Sequence, residues 1–132
     1  MRLLLRCDSG APQRAREALR ALAAIDLVRD DAILVASELV SNSVMHGGCD
    51  PGEEIEVLAQ LEPDALRLTI TDRGSSGQIP TPRGPEYRGP GGMGLRVVDA
   101  LARRWGSEHR NGTTVWAELS LDVAAHEPAG TL

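Results

Sequence analysis

Residues 73–92 read RGSSGQIPTPRGPEYRGPGG, with prolines at 80, 82, 85 and 90 and almost no large apolar side chain. Such a stretch buries too little to offset the entropy of ordering it. Its prolines also withhold the amides that a helix or strand would use. In a chain of 132 residues, one domain's worth, this stretch splits the foldable remainder into two blocks that serve a single core. A connection that long inside a small domain is as a rule functional or disordered.

The two blocks carry clear periodicities. Residues 2–7 (RLLLRC) form a short apolar run consistent with a strand. Pro12 then opens a helical pattern, with Ala15, Ala18, Leu19, Leu22 and Ile25 on one side and Arg14, Arg16, Glu17 and Arg20 on the other. Asp30 and Asp31 predict an N-cap and acidic first turn for a second helix over about 31–46, with Ile33, Ala36, Val40 and Val44 on its core face. Gly47 and Gly48 supply its C-cap. EIEVLAQL (54–61) and ALRLTIT (65–71) alternate around Pro63-Asp64 and read as a hairpin. After the long connection, helical spacing resumes at Leu95, Val98, Leu101 and Trp105. Asn111-Gly112 is a type I′ turn signal between GSEHR and TTVWAELSL, where Val115, Ala117, Leu119 and Leu121 face one way. Residues 122–132 read as a frayed tail, so the expected domain spans 1–121. The order predicts an α+β fold, a two-layer sandwich with helices on one face of a mostly antiparallel sheet.

Composition narrows the chemistry. All 14 basic residues are arginine. The absence of lysine excludes a GK[ST] phosphate loop, a Schiff-base lysine and the lysine of eukaryotic-type protein kinases. A net charge of -5, with acids and arginines interspersed, leaves no basic footprint for nucleic acid. Tyr87, Trp105 and Trp116 are too few aromatics to stack single-stranded bases. No apolar run approaches the ~20 residues that cross a bilayer, and MRLLLRC is too short for a signal peptide. Cys7 and Cys49 lie far apart without CxxC spacing, so a disulfide framework is not expected and a reducing cytoplasm is.

Four short segments hold the residues that could do chemistry. Glu38, Asn42 and His46 recur every four residues and so share one helix face, roughly opposite Ala36, Val40 and Val44. Alone, that face reads as solvated surface. A carboxylate and an amide in register also suit activation of a nucleophile and ligation of Mg²⁺. Asp72 ends a strand and enters Asp72-Arg73-Gly74, either a simple turn or an acceptor for an exocyclic amine, with Gly74 admitting a flat ring. Gly91-Gly92-Met93-Gly94-Leu95 opens a helix, as a flexible connector or as a cradle of backbone amides for phosphate. Gly112-Thr113-Thr114 is ordinary hairpin chemistry if it stands alone. A metal site drawn from His46, Cys49 and Cys7 lacks a second ligand pair and carries little weight.

Taken in order, these segments resemble the boxes of the Bergerat-fold, histidine-kinase-like ATPases. SELVSNSVMH (37–46) resembles the N box, LTITDRG (68–74) the first glycine box, GGMGL (91–95) the second and GTTVW (112–116) the third. ASELVSNSVMHGG and GGMGLRVVDALARRWG are more narrowly similar to the stand-alone anti-sigma-factor serine kinases of bacteria, over about residues 10–121. The resemblance implies ATP and Mg²⁺ as ligands. Glu38 would be the general base and Asn42 the Mg²⁺ ligand. Asp72 would accept from the adenine amine, with Thr113 in support. Gly74 and the Gly92-Met93-Gly94-Leu95 turn would lie against the nucleotide. Residues 75–91 would form a lid whose Arg88, or Arg83, reaches the phosphates, and His46 would be structural. The implied partners are a sigma factor and an anti-sigma-factor antagonist protein, and the RLLLRC strand offers an edge for a homodimer. A second reading, a non-catalytic partner-switching module with nucleotide structural or absent, draws on Gly77 and the proline-rich lid.

Overall fold

The computed structural model describes residues 1–45, 49–72, 92–109 and 112–122. Among the described residues, five strands form one sheet: β1 (Arg2–Arg6), β2 (Glu54–Leu61), β3 (Ala65–Asp72), β4 (Arg104–His109) and β5 (Thr113–Ser120). Their order is β1-β2-β3-β5-β4, and each neighbouring pair is antiparallel. Three helices, α1 (Ala11–Arg20), α2 (Arg29–Met45) and α3 (Gly92–Leu101), form the second layer, with a 3₁₀ segment (Ala23–Val28) leading into α2. This is the two-layer α+β sandwich expected from the order of the periodic segments.

Alternation along the strands decides which sheet face the helices cover. Ile55, Val57 and Ala59 of β2, Leu66, Leu68 and Ile70 of β3, and Val115, Ala117 and Leu119 of β5 are all buried. Register lines them up in rows, Val57 beside Ile70 beside Val115 and Ala59 beside Leu68 beside Ala117. Each buried Leu, Ile or Val contributes about 1.5–3 kcal/mol relative to exposure. A shift of one residue would turn every one of them outward.

The outward face is polar but well knit. Glu118 stands directly across from Arg67 on β3 and Arg104 on β4. It accepts hydrogen bonds from Arg67, Arg103 and Arg104 at 2.7–3.2 Å. The three guanidinium groups, not the apolar core, bring its exposure down to 2%. The Arg67 guanidinium also lies 4.4 Å from the centroid of the Trp116 ring. A Cβ at position 106 would sit 2.9 Å from that ring, so glycine is required there.

Several boundaries differ from the expected ones. The first helix stops at Arg20, because Ala21 and Leu22 donate to carbonyls three residues back and the chain tightens into the 3₁₀ segment. Ile25 is nevertheless buried. Asp30 and Asp31 lie inside the first turn of α2 and not at its cap, still well placed against the positive helix end. In place of the single stripe expected for α2, Ala32, Val35, Ala36, Leu39 and Val40 are all buried, and Ile33 and Val44 are only half-buried. The cause is position: α2 packs on α1, on α3 and on the sheet, so most of its circumference meets protein. Trp105 belongs to β4, since Arg103 N–H already donates to the Glu118 carbonyl and begins the pairing with β5. His109 pairs with Thr113, which leaves three residues between the strand ends instead of a two-residue turn. Of these, Arg110 and Asn111 lie outside the described residues, as do Gly47, Gly48 and the tail from residue 123.

The expectation of two separate cysteines is overturned. Cys7, just after β1, and Cys49, beyond α2, are joined in a disulfide with their Cα atoms 6.2 Å apart. Their separation of 42 residues leaves no pattern in the sequence, and only the fold brings them together. In the disulfide neither sulfur is a thiolate free to bind a metal, so this form offers no cysteine ligands for the His46–Cys49–Cys7 site. Among the described residues, no helix is long and apolar enough to cross a membrane.

Candidate functional site

Glu38 and Asn42 lie one turn apart on α2, so their side chains share a face. Both residues are half-buried. This is not an open solvated surface, because α2 is the central helix of its layer. The Asn42 Nδ2 atom is buried and finds no hydrogen-bond partner among the described residues. Buried polar atoms are almost always paired, so an amide with no partner among the described residues suits a ligand or metal at this point. Either end of the amide can be turned toward such a group.

Asp72 is the last residue of β3 and continues the inward row of Leu66, Leu68 and Ile70. Thr113 is the first residue of β5 and continues the inward row of Val115, Ala117 and Leu119. Register sets Asp72 and Thr113 directly opposite each other, and both are 3% exposed. Two apolar rows thus end in a carboxylate and a hydroxyl on the helix side of the sheet. On the other face, the neighbouring Thr71 and Thr114 hydroxyls bond to each other at 3.2 Å. Gly112, just before Thr113, has φ 124°, a conformation that side chains rarely adopt and glycine does.

The second glycine segment opens a helix, as expected, because α3 begins at Gly92. Its first turn contains no acidic residue, so the positive end of the helix is not neutralised from within. Leu95, one turn in, is 5% exposed and anchors that start in the core. α3 packs on α2, so the glycine turn and the Glu38–Asn42 face belong to adjoining helices. Gly74, His46, Arg83, Arg88, Gly91 and the segment 75–91 lie outside the described residues.

One contact had no sequence signal. Arg16 on α1 donates through Nη1 to Ser37 Oγ at 2.6 Å, immediately before Glu38. Ser37 is buried, and Arg16 is itself steadied by Gln13 through two hydrogen bonds at 2.7 and 3.1 Å. A polar clasp therefore fixes α1 on the helix that carries Glu38 and Asn42. Helical spacing in the first block predicted Arg16 on the outer side, and nothing 21 residues away marked Ser37 as its partner.

The sequence profile of the histidine kinase-like ATPase domain matches residues 8–119. Among solved structures, the chain is similar to a crystal structure of the RsbU and RsbW domains of Rv1364c from Mycobacterium tuberculosis. Identity is 27% and the TM-score 0.68, over 91% of this chain. The match spans 32% of the length of that larger chain. No curated protein matches.

Proposed function

The chain belongs to the histidine kinase-like ATPase domain family, and on that premise we propose that it is an anti-sigma factor and Mg-ATP-dependent serine protein kinase. Its substrate in this reading is a small antagonist protein of the same switch, in the cytoplasm. One observation carries the reading: Glu38 and Asn42 share a half-buried face of α2, and the Asn42 amide keeps a buried nitrogen without a partner among the described residues. Similarity to a structure containing an RsbW domain supports the partner-switching half of the proposal.

ATP binding belongs to the family, and the chain's own residues divide the work. Asp72 accepts from the adenine amine, with Thr113 opposite it in support. The amides at the start of α3 would meet the phosphates, and Asn42 would hold Mg²⁺. When bound, Mg²⁺ supplies charge neutralisation across the phosphate oxygens. The chain contains no lysine, so the remainder falls to backbone dipoles and to arginines, of which Arg88 is the one we assign. Glu38 takes the proton from the substrate serine as its oxygen attacks the γ-phosphorus, and ADP leaves.

Incubation with labelled ATP, Mg²⁺ and candidate antagonist proteins tests this directly. Label is expected on serine of the antagonist. Glu38→Ala should slow transfer on the order of 10²–10⁴-fold with little change in ATP affinity. Unaltered transfer by that variant contradicts the assignment of the base. Label on histidine would instead identify a detached histidine-kinase domain, and stable association without transfer would identify a non-catalytic module.

A further inference from the structure

We propose that Cys7 and Cys49 form a reversible dithiol–disulfide latch that controls the order of the last turn of α2, and through it the nucleotide site. The second half of this proposal rests on the reading of α2 given above. The first half rests on the cysteines alone.

Cys7 is held by the sheet: it follows β1, and its N–H donates to the Glu53 carbonyl at 2.8 Å. Cys49 sits on the far side of the 42-residue interval that contains α1, the 3₁₀ segment and α2. The bond therefore ties the chain beyond α2 to the end of an edge strand. Their 6.2 Å Cα separation is within the span a disulfide bridges without moving the backbone.

The reduced form is equally well provided for. Cys7 Sγ lies 3.2 Å from the Cys49 carbonyl, and Cys49 Sγ lies 3.1 Å from the Ser43 carbonyl. As thiols, both sulfurs have an acceptor in reach; as a disulfide, neither has a proton to give. Ser43 adjoins Asn42 and is itself buried. Its carbonyl is among the last four of α2, which have no partner within the helix. Reduction replaces a covalent tether beyond α2 with a weak S–H donor on its last turn. Oxidation does the reverse, and each form has its own complete set of contacts.

A low-molecular-weight disulfide such as glutathione disulfide serves as oxidant. The Cys49 thiolate attacks one of its sulfurs, forming a mixed disulfide and releasing one thiolate. The Cys7 thiolate then attacks Cys49 Sγ, closing the protein disulfide and releasing the second. Two protons leave the protein thiols and two electrons pass to the oxidant. Two equivalents of thiol reverse the sequence. Access is through Cys49, because the residues that follow it, Asp50, Pro51 and Gly52, are all exposed and can open locally. In a reducing compartment a disulfide is characteristically transient and redox-sensing, which is the behaviour assigned to this pair.

The test uses the full chain equilibrated in glutathione buffers of graded oxidation, with thiol alkylation and intact mass reporting the bond. Amide hydrogen exchange over residues 40–45 is then read in both forms without nucleotide, and Mg-ATP affinity is read separately. The oxidised form is expected to exchange more slowly there and to bind Mg-ATP about five- to tenfold more tightly. Cys7→Ser and Cys49→Ser should each exchange like the reduced chain and lose the redox response. If both thiols stay alkylatable under oxidant, or if exchange over 40–45 is the same in the two forms, the latch is overturned whatever the nucleotide does. Redox-dependent exchange with no Mg-ATP binding in either form supports the latch and overturns the nucleotide reading of α2.

Discussion

A carboxylate enclosed at the end of an apolar row costs free energy unless hydrogen-bond donors meet it, and Asp72 at 3% exposure is such a carboxylate. Asp72 already has a partner within the protein, and in the proposed function the adenine amine is a further donor to it. Asp72→Ala is therefore expected to weaken ATP binding by about 1.5–3 kcal/mol, roughly 10- to 150-fold by titration. Unchanged affinity would place the base elsewhere. The strand end at Asp72 and the shared helix face of Glu38 and Asn42 were legible in the sequence, because a strand end followed by glycine and a four-residue spacing on a helix are local patterns. Arg16 with Ser37 and Cys7 with Cys49 were not. Their separations of 21 and 42 residues carry no period, so only the packing of α1 on α2, and of the post-α2 segment on β1, reveals them. That Asn42 Nδ2 has no partner among the described residues is likewise a property of surroundings and not of spacing.

The elements were legible wherever one face is buried and the other is not. β2, β3 and β5 alternate cleanly and appear close to where alternation put them. α2 defeated the single-stripe reading because three neighbours share it, and α3 ran on to Trp105 in the sequence because that residue happens to continue the helical spacing. The β3–β5–β4 region also makes a pH prediction. Hydrogen bonding first from Arg104, then from Arg103, holds the Glu118 carboxyl below its ordinary value of 4.5, against the opposing effect of burial. With the folded value depressed, the unfolded chain binds more protons in acid. The stabilisation is thus present in full above the ordinary carboxylate range and is lost as pH falls through the folded value. Glu118→Gln should lower stability at pH 7 by roughly 1–2 kcal/mol, a figure discounted because the arginines are partly exposed. Denaturant unfolding should show wild type and variant converging below about pH 4. A gap that persists undiminished in strong acid would mean that packing, not charge, makes the difference.

At the scale of the molecule, the topology explains how segments spread over most of the chain come to lie side by side. β5 returns to lie beside β3, so the first and third glycine boxes meet as Asp72 and Thr113 although 41 positions apart in numbering. α2 and α3, which carry the segments that resemble the N box and the second glycine box, pack on each other in the second layer. The order of the boxes was readable in the sequence. That β4 would take the sheet edge and leave β5 against β3 was not, because strand order follows from packing and not from local pattern. In the proposed function this convergence holds a nucleotide through Mg²⁺ at Asn42. Calorimetric titration of the chain and of Asn42→Ala with ATP, each with and without Mg²⁺, tests it most directly. Saturable binding that Mg²⁺ tightens is expected in the wild type, with a Mg²⁺ effect that disappears in the variant. No binding by the wild type, or the same Mg²⁺ effect in both proteins, would contradict it.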